Sequence, residues 1–212
     1  MKLVWAVSGR GMAARSVMEA HFAGLLKSRL DLVVFDRTGA TDSMIEYCIR
    51  NRIDFLVIAP AHLEVELLKV QRDRQFDCMG LTFNRLITQS VIDVFKGRIF
   101  NLHMSLLPLF PGFGATKKAI ESGLSYTGVT VHFIDAGVDT GPIIAQRKVA
   151  IEVSDNEAKL GRRQFEAAVP LLLQTVRILE RDRDSHFDRP DPDLAQFAAR
   201  FCLEVGMPDN MA

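Results

Sequence analysis

Three side chains within one stretch of this sequence carry the groups that acyl transfer requires. Asn101 and His103 lie in Asn-Leu-His (101–103), and Asp139 lies in Val-Asp-Thr-Gly-Pro (138–142). A carboxamide can donate hydrogen bonds to an oxyanion as it develops. An imidazole can shuttle a proton or assist as a donor or cation, and a carboxylate can take or relay the proton that an attacking nucleophile gives up. Asn101 and His103 are two positions apart, so on a strand their side chains share a face. Each residue also has a plainer reading: His103 as a structural histidine, Asp139 as a turn residue ahead of Gly141 and Pro142. His132, inside Val-Thr-Val-His-Phe, reads as structural or supporting, and His21, His62 and His186 as surface or helix residues.

The surrounding elements place these groups. Leu3–Val7 is an apolar run of the kind buried on both faces, broken by Ser8-Gly9-Arg10-Gly11, and apolar residues at helical spacing follow from Met12 to about Lys27. Strand, Gly-rich turn and helix open many nucleotide-binding α/β units. The amides of Gly9, Arg10, Gly11 and Met12 would then form an anion site at the helix start, although a tight turn also calls for glycine. Leu30–Phe35, a buried strand at Phe55–Ile58, Cys78–Leu81 and Ile99–Leu102 alternate with helices at Asp42–Arg52 (capped by Asp42), Leu63–Val70 and a short one to Phe95 capped by Thr88. That alternation predicts an α/β fold with a single-domain, doubly wound, mostly parallel sheet. Ligands in such sheets sit beyond the carboxyl ends of the strands, so Ser8–Gly11, Asn84–Ile87 and Asn101–His103 should line one crevice.

Beyond His103 the pattern changes. A short helix at Thr116–Ser122 precedes two strands, Val129–Phe133 and Ile143–Val149, joined by the Asp135–Pro142 loop. They predict a mixed or antiparallel extension whose loop closes over the crevice. Asp155 is expected to cap a long helix to about Arg181, kinked or divided at Pro170. A polar linker at 181–192 leads to a final helix, Leu194–Val205, packing Leu194, Phe197, Phe201 and Leu203 on the body. The expected organisation is a catalytic domain at 1–183 and a C-terminal tail at 184–212 with a short packing helix.

With 212 residues, 48% hydrophobic and 25% charged, the chain has material for one sizeable core. A net charge of +0 points to neither nucleic acid nor an anionic membrane. The first residues lack a signal-peptide pattern, and no apolar run reaches spanning length. Cys48, Cys78 and Cys202 are odd in number and lack metal-ligand spacing, which suits reduced thiols in cytoplasm.

Asn-x-His-x-Ser-Leu-Leu-Pro (101–108), Gly-Val-Thr-Val-His-Phe (128–133) and Val-Asp-Thr-Gly-Pro-Ile (138–143), in this order and spacing, resemble the folate-dependent formyltransferases, and among them the glycinamide ribonucleotide branch. The likeness is strong from Phe83 to Val149 and loose before it. It implies the formyltransferase fold, 10-formyltetrahydrofolate as donor, no metal, and a small-molecule amine as acceptor. It also implies that Asn101 and His103 stabilise the oxyanion and Asp139 assists proton removal. The pterin would lie against the backbone of Asn84, Arg85, Leu86 and Ile87 and of the loop Asp135, Ala136, Gly137 and Val138.

The acceptor side departs from that pattern. Met12 and Ala13 stand where the glycinamide enzymes carry Ser-Asn, and Phe165 stands where they carry a ribose-contacting Glu, with Glu166 one residue off. No acceptor-contacting arginine aligns in Asp36–Gln75, and Arg10 and Arg37 are the available cations. Glycinamide ribonucleotide is the first expectation for the acceptor. After it come another amine (an amino sugar or a modified amino acid), hydrolysis of the donor, and an idle folate- or nucleotide-sugar-binding protein. Transfer RNA is not expected, for want of a basic excess and of room for the extra domain of the initiator-tRNA enzymes. A monomer and a homodimer fit equally.

Overall fold

The structure is a computed structural model describing residues 1–36, 42–181 and 191–205. Five apolar runs become parallel strands: β1 (Lys2–Val7), β2 (Arg29–Phe35), β3 (Asp54–Val57), β4 (Cys78–Thr82) and β5 (Ile99–His103). Two antiparallel strands, β6 (Tyr126–Phe133) and β7 (Ile143–Ala150), extend the sheet, whose order is β3-β2-β1-β4-β5-β6-β7. The parallel strands are linked by α1 (Met12–Phe22), α2 (Asp42–Arg50), α3 (Leu63–Arg74) and α4 (Gln89–Val94); α5 (Ala115–Glu121), α6 (Glu157–Arg181) and α7 (Pro192–Glu204) follow. The doubly wound, mostly parallel sheet with an antiparallel extension is the architecture that the alternation predicts.

Alternation along β1 divides the core. Leu3, Trp5 and Val7 face α1, α6 and α7, while Val4 and Ala6 join α3 and α4 residues such as Leu67 and Val91 on the other face. Trp5 is fully buried, its indole N–H donating to Thr82 Oγ1 at 3.2 Å and its ring edge-on to Phe100. Gly80 pairs with Trp5 across β1 and β4, and a Cβ there would lie 2.5 Å from the indole ring. Neither strand can give way, since both are central. Gly80→Ala is therefore expected to cost about 2–3 kcal/mol by overpacking, read as a fall in Tm of roughly 4–12 °C by circular dichroism. An unchanged Tm would mean that the indole has room to move.

Several local expectations are corrected. Among the described residues β3 is an edge strand paired only with β2: Asp54 and Val57 are exposed, Phe55 and Leu56 half-buried, and Ile58, beyond it, is buried. The first residue of α2 is Asp42, and what precedes it falls outside the described residues. Thr88 occupies the N-cap of α4 without a side-chain capping bond. At the start of α6 the cap is Asn156, whose Oδ1 accepts from Lys159 N–H at 2.9 Å; Asp155 accepts from Glu152 N–H and pairs with Arg163. α6 is not divided at Pro170. A proline inside a helix costs ~3 kcal/mol, but Val169, Leu171, Leu172 and Leu173 are buried around it at ~1.5–3 kcal/mol each, so packing wins. α7 lays Leu194, Phe197, Ala198 and Phe201 on the core shared with α1 and α6, whereas Leu203 is 83% exposed. The expected polar linker falls largely on 182–190, outside the described residues, as does His186.

Candidate active site

β5 is the hinge of the site, parallel to β4 on one side and antiparallel to β6 on the other. Its alternation turns Asn101 and His103 to one face, and the β5–β6 register sets Asn101 directly opposite His132. The register of β6 against β7 shifts between Val131 and His132, an irregularity of the kind that re-aims a side chain. The loop after β6 is then folded back tightly. Phe133 N–H donates to Pro142 O at 2.9 Å, and a Cβ at Gly141 would lie 1.9 Å from the Phe133 carbonyl oxygen, so only glycine fits there. Asp139 itself takes φ 54, a left-handed conformation that Asp tolerates.

These constraints bring the three residues singled out in the sequence together, with His132 between them. Asp139 Oδ2 is 3.2 Å from His103 Nδ1 and accepts from Gly112 N–H at 2.7 Å, while Oδ1 is 3.5 Å from His132 Nε2. His132 Nε2 lies 3.4 Å from the Asn101 amide nitrogen, and its Nδ1 donates to the Phe133 carbonyl at 2.9 Å. His103 Nε2 donates to the Phe110 carbonyl at 2.9 Å. That carbonyl is held in place by a pinned loop. Thr130 Oγ1 donates to Ser105 O and accepts from Leu107 N–H and Gln146 Nε2, and Gln146 Nε2 also reaches Leu107 O. The Leu107–Pro108 bond is cis.

The electrostatics follow from this packing. Burial pulls His103 below the usual imidazole value, opposed by the Phe110 carbonyl and the charge of Asp139. Burial alone would raise the Asp139 carboxyl. His132, the Gly112 amide and His103 together outweigh it and hold the carboxyl down at about 2. Near neutral pH the pair is thus a carboxylate beside a neutral imidazole. Because His103 Nε2–H is already given to Phe110, the bare Nδ1 faces a carboxylate oxygen at 3.2 Å. Such an arrangement has room for one more proton, which the carboxylate favours and burial opposes.

The other expected contacts fall at the carboxyl edge of the sheet. Ser8 N–H donates to Thr82 O at 2.9 Å, tying the Gly-rich turn to the end of β4. Gly11 is the left-handed N-cap of α1, packed against Met44, with no side-chain cap and no acid in the first turn; Arg10 is exposed and Met12 half-buried. In the turn after β4, Asn84 is exposed, Arg85 is directed to Asp36, Leu86 is 69% exposed, and Ile87 leans on the core. In the loop after β6, Asp135 Oδ1 accepts from Gly137 N–H and Thr140 Oγ1, leaving Ala136 and Gly137 exposed and Val138 47% exposed. Phe165 is core, Glu166 exposed, and Arg37 lies outside the described residues. Sequence reasoning underweighted His132 and missed the Gly112 amide and the Phe110 carbonyl. The β5–β6 register, once known, would have found His132.

Among the described residues no group of three or more His, Cys, Asp and Glu is placed to hold a metal ion, and no helix is long and apolar enough to cross a membrane. An amide, two imidazoles and a carboxylate at the carboxyl edge of a doubly wound sheet mark the class, an α/β protein with its polar cluster where ligands bind. The formyl transferase family matches residues 1–176, and the chain belongs to that family. It is 38% identical over 96 residues to phosphoribosylglycinamide formyltransferase of Bacillus subtilis, covering 45% of this chain and 49% of that protein. It is 31% identical over 194 residues to the chloroplastic phosphoribosylglycinamide formyltransferase of Vigna unguiculata, covering 86% of this chain and 62% of that protein. The chain therefore spans between 49% and 62% of the length of these two curated relatives. The crystal structure of phosphoribosylglycinamide formyltransferase from Bacillus halodurans superposes with a TM-score of 0.81 at 30% identity, over 89% of this chain and 100% of that one.

Proposed function

We propose that this chain transfers a formyl group from 10-formyltetrahydrofolate to the amine of a small acceptor in the cytoplasm, with glycinamide ribonucleotide of purine biosynthesis as the first candidate. The observation that carries the reading is the neutral-imidazole–carboxylate pair of His103 and Asp139, joined through His132 to the Asn101 amide. When a neutral amine attacks the formyl carbon, the carbonyl oxygen gains charge and the nitrogen must lose a proton. Asn101 donates to that oxygen, and His103, whose Nε2–H is held by the Phe110 carbonyl, assists by its charge once Nδ1 takes up a proton. Asp139, with His103 beside it, receives the proton directly or through one water. No covalent enzyme intermediate is required. Exposed Leu86 and Val138, on the turn Asn84–Ile87 and the loop Asp135–Val138, suit a flat, amide-bearing ring. The helix-start amides of Gly9–Met12 suit an anionic group on the acceptor.

A second acceptor class has an observation in its favour. Met12, Ala13 and Phe165 offer no side-chain hydrogen bond to a ribose phosphate, and Phe165 is buried in the core. That favours an amine such as an amino sugar or a modified amino acid. The test is transfer from a stable 10-formyl-folate analogue to glycinamide ribonucleotide, to a panel of amino sugars, and to buffer alone. Product with glycinamide ribonucleotide is expected. Product only with another amine moves the acceptor, product in buffer makes the chain a hydrolase, and silence throughout refutes the reading.

The pair also sets a pH dependence. If the proton-free pair is the working form, it must be vacant for turnover, so kcat/KM rises with pH through a limb below 6.5, the ordinary imidazole value that burial lowers for His103, and levels off above it. Steady-state rates between pH 5 and pH 8 (roughly the imidazole range) check this. Activity that falls as pH rises through the same limb would make the imidazolium the working form.

A further inference from the structure

Asp36 is the residue directly after β2, and its carboxylate is buried, with 2% of the residue exposed. A carboxylate in that position must be paired or hydrogen-bonded to stay charged. Its Oδ2 accepts from Ser8 Oγ at 2.8 Å and from Arg85 Nε at 2.9 Å. The Ser8 hydroxyl, having donated to Asp36, accepts in turn from Asn84 N–H at 3.0 Å. Residues 76 and 49 positions apart in sequence are thereby joined through two linked oxygens, Ser8 Oγ and Asp36 Oδ2.

Two segments with different tasks in the proposed function meet at this pair of oxygens. Ser8 begins the Gly-rich turn assigned to the acceptor side, and Asn84 and Arg85 begin the turn assigned to the donor side. We propose that Asp36 is a positioning residue that ties these two turns together and so fixes the spacing of the two substrate half-sites. It acts through Ser8 and Arg85 and touches no substrate. What the two turns hold rests on the functional reading above; the tether itself rests on the hydrogen bonds. Arg85 is kept from swinging into the crevice because its guanidinium answers a buried charge, and Asn84 is oriented through its backbone.

The test uses the full chain with Asp36→Asn, which keeps an acceptor for Ser8 but removes the charge facing Arg85, and Ser8→Ala, which removes the hydroxyl link and leaves the ion pair. Amide exchange in the ligand-free protein reads the tether, and affinity for a stable 10-formyl-folate analogue with steady-state kinetics reads its effect. In Asp36→Asn the Asn84 amide should exchange about tenfold faster while β5 and β6 amides keep their rates. The analogue should bind about tenfold more weakly, the size expected for a lost charge-assisted bond. KM for both substrates should rise with kcat within about threefold. Ser8→Ala should quicken exchange at Asn84 to a similar degree with a smaller loss of affinity. Unchanged exchange at Asn84 overturns the proposal, as does exchange that quickens equally across the whole sheet, or a fall in kcat with KM fixed. If the parent chain ignores the analogue, the functional reading fails instead, and the exchange results alone decide the tether.

Discussion

Asp139→Asn is expected to lower kcat/KM by about a thousandfold or more while leaving folate-analogue affinity close to that of the parent; Tm should fall modestly, because the fold favours the charged carboxyl that is lost. The substitution keeps shape and one acceptor oxygen, so Gly112 N–H retains a partner in the position now held by Oδ2. What it removes is the anion between His103 and His132. In the parent, a proton arriving at this pair creates an imidazolium–carboxylate contact at 3.2 Å in a buried setting. In the variant the same proton would create a buried imidazolium with no counter-charge, which is costly. The proton of the attacking amine then has nowhere favourable to go. Single-turnover rates with a bound analogue separate this from a binding defect. A loss smaller than tenfold would mean that the proton leaves directly to solvent. A parent chain that binds folate with no turnover to lose would instead be an idle binder.

The second large effect is expected at Asn101. Its truncation to alanine should reduce kcat by about a hundredfold to a thousandfold, as removal of one oxyanion donor does in other acyl-transfer sites, with little change in KM for either substrate. The loss should fall on kcat because the amide's bond strengthens as charge collects on the oxygen and is weak to a neutral formyl group. The substitution also takes a neighbour from His132, but that ring keeps the Phe133 carbonyl on Nδ1 and Asp139 beside Nε2. The fold should therefore survive, and an unaltered circular dichroism spectrum would confirm that the rate reports chemistry. A change in kcat below about threefold would mean that the oxyanion is met elsewhere, with His103 the first place to look.

Much of this could be read before any coordinates. Leu3–Val7, Leu30–Phe35 and Ile99–Leu102 are legible as strands because runs buried on both faces need no alternation. The change at Val129 is legible because two strands follow each other without a helix between them. The exposure of β3 is not legible, because its apolar run does not say whether the strand is central or at an edge; that depends on which strands come to lie beside it. A division of α6 at Pro170 does not occur, for a related reason: local propensity is outweighed by packing against the core. Within the site, Asn101, His103 and Asp139 were legible as a set through their blocks and spacing. His132 joined them only through the pairing of β5 with β6 and the shift of register beside β7. Asp36 was invisible in principle to local reading, because its partners lie in two distant turns.

The chain contains a single tryptophan, and the fold places it at the centre of the sheet. Trp5 is enclosed by Phe100 and pressed against Gly80, and its one polar atom is bound to Thr82, whose carbonyl holds the amide of Ser8. The molecule thus carries its own fluorophore two hydrogen bonds away from the junction of the two substrate turns. Emission from this buried site is expected toward the blue, with a red shift when the sheet opens. A change in its intensity on ligand addition would report movement at the carboxyl edge without any label.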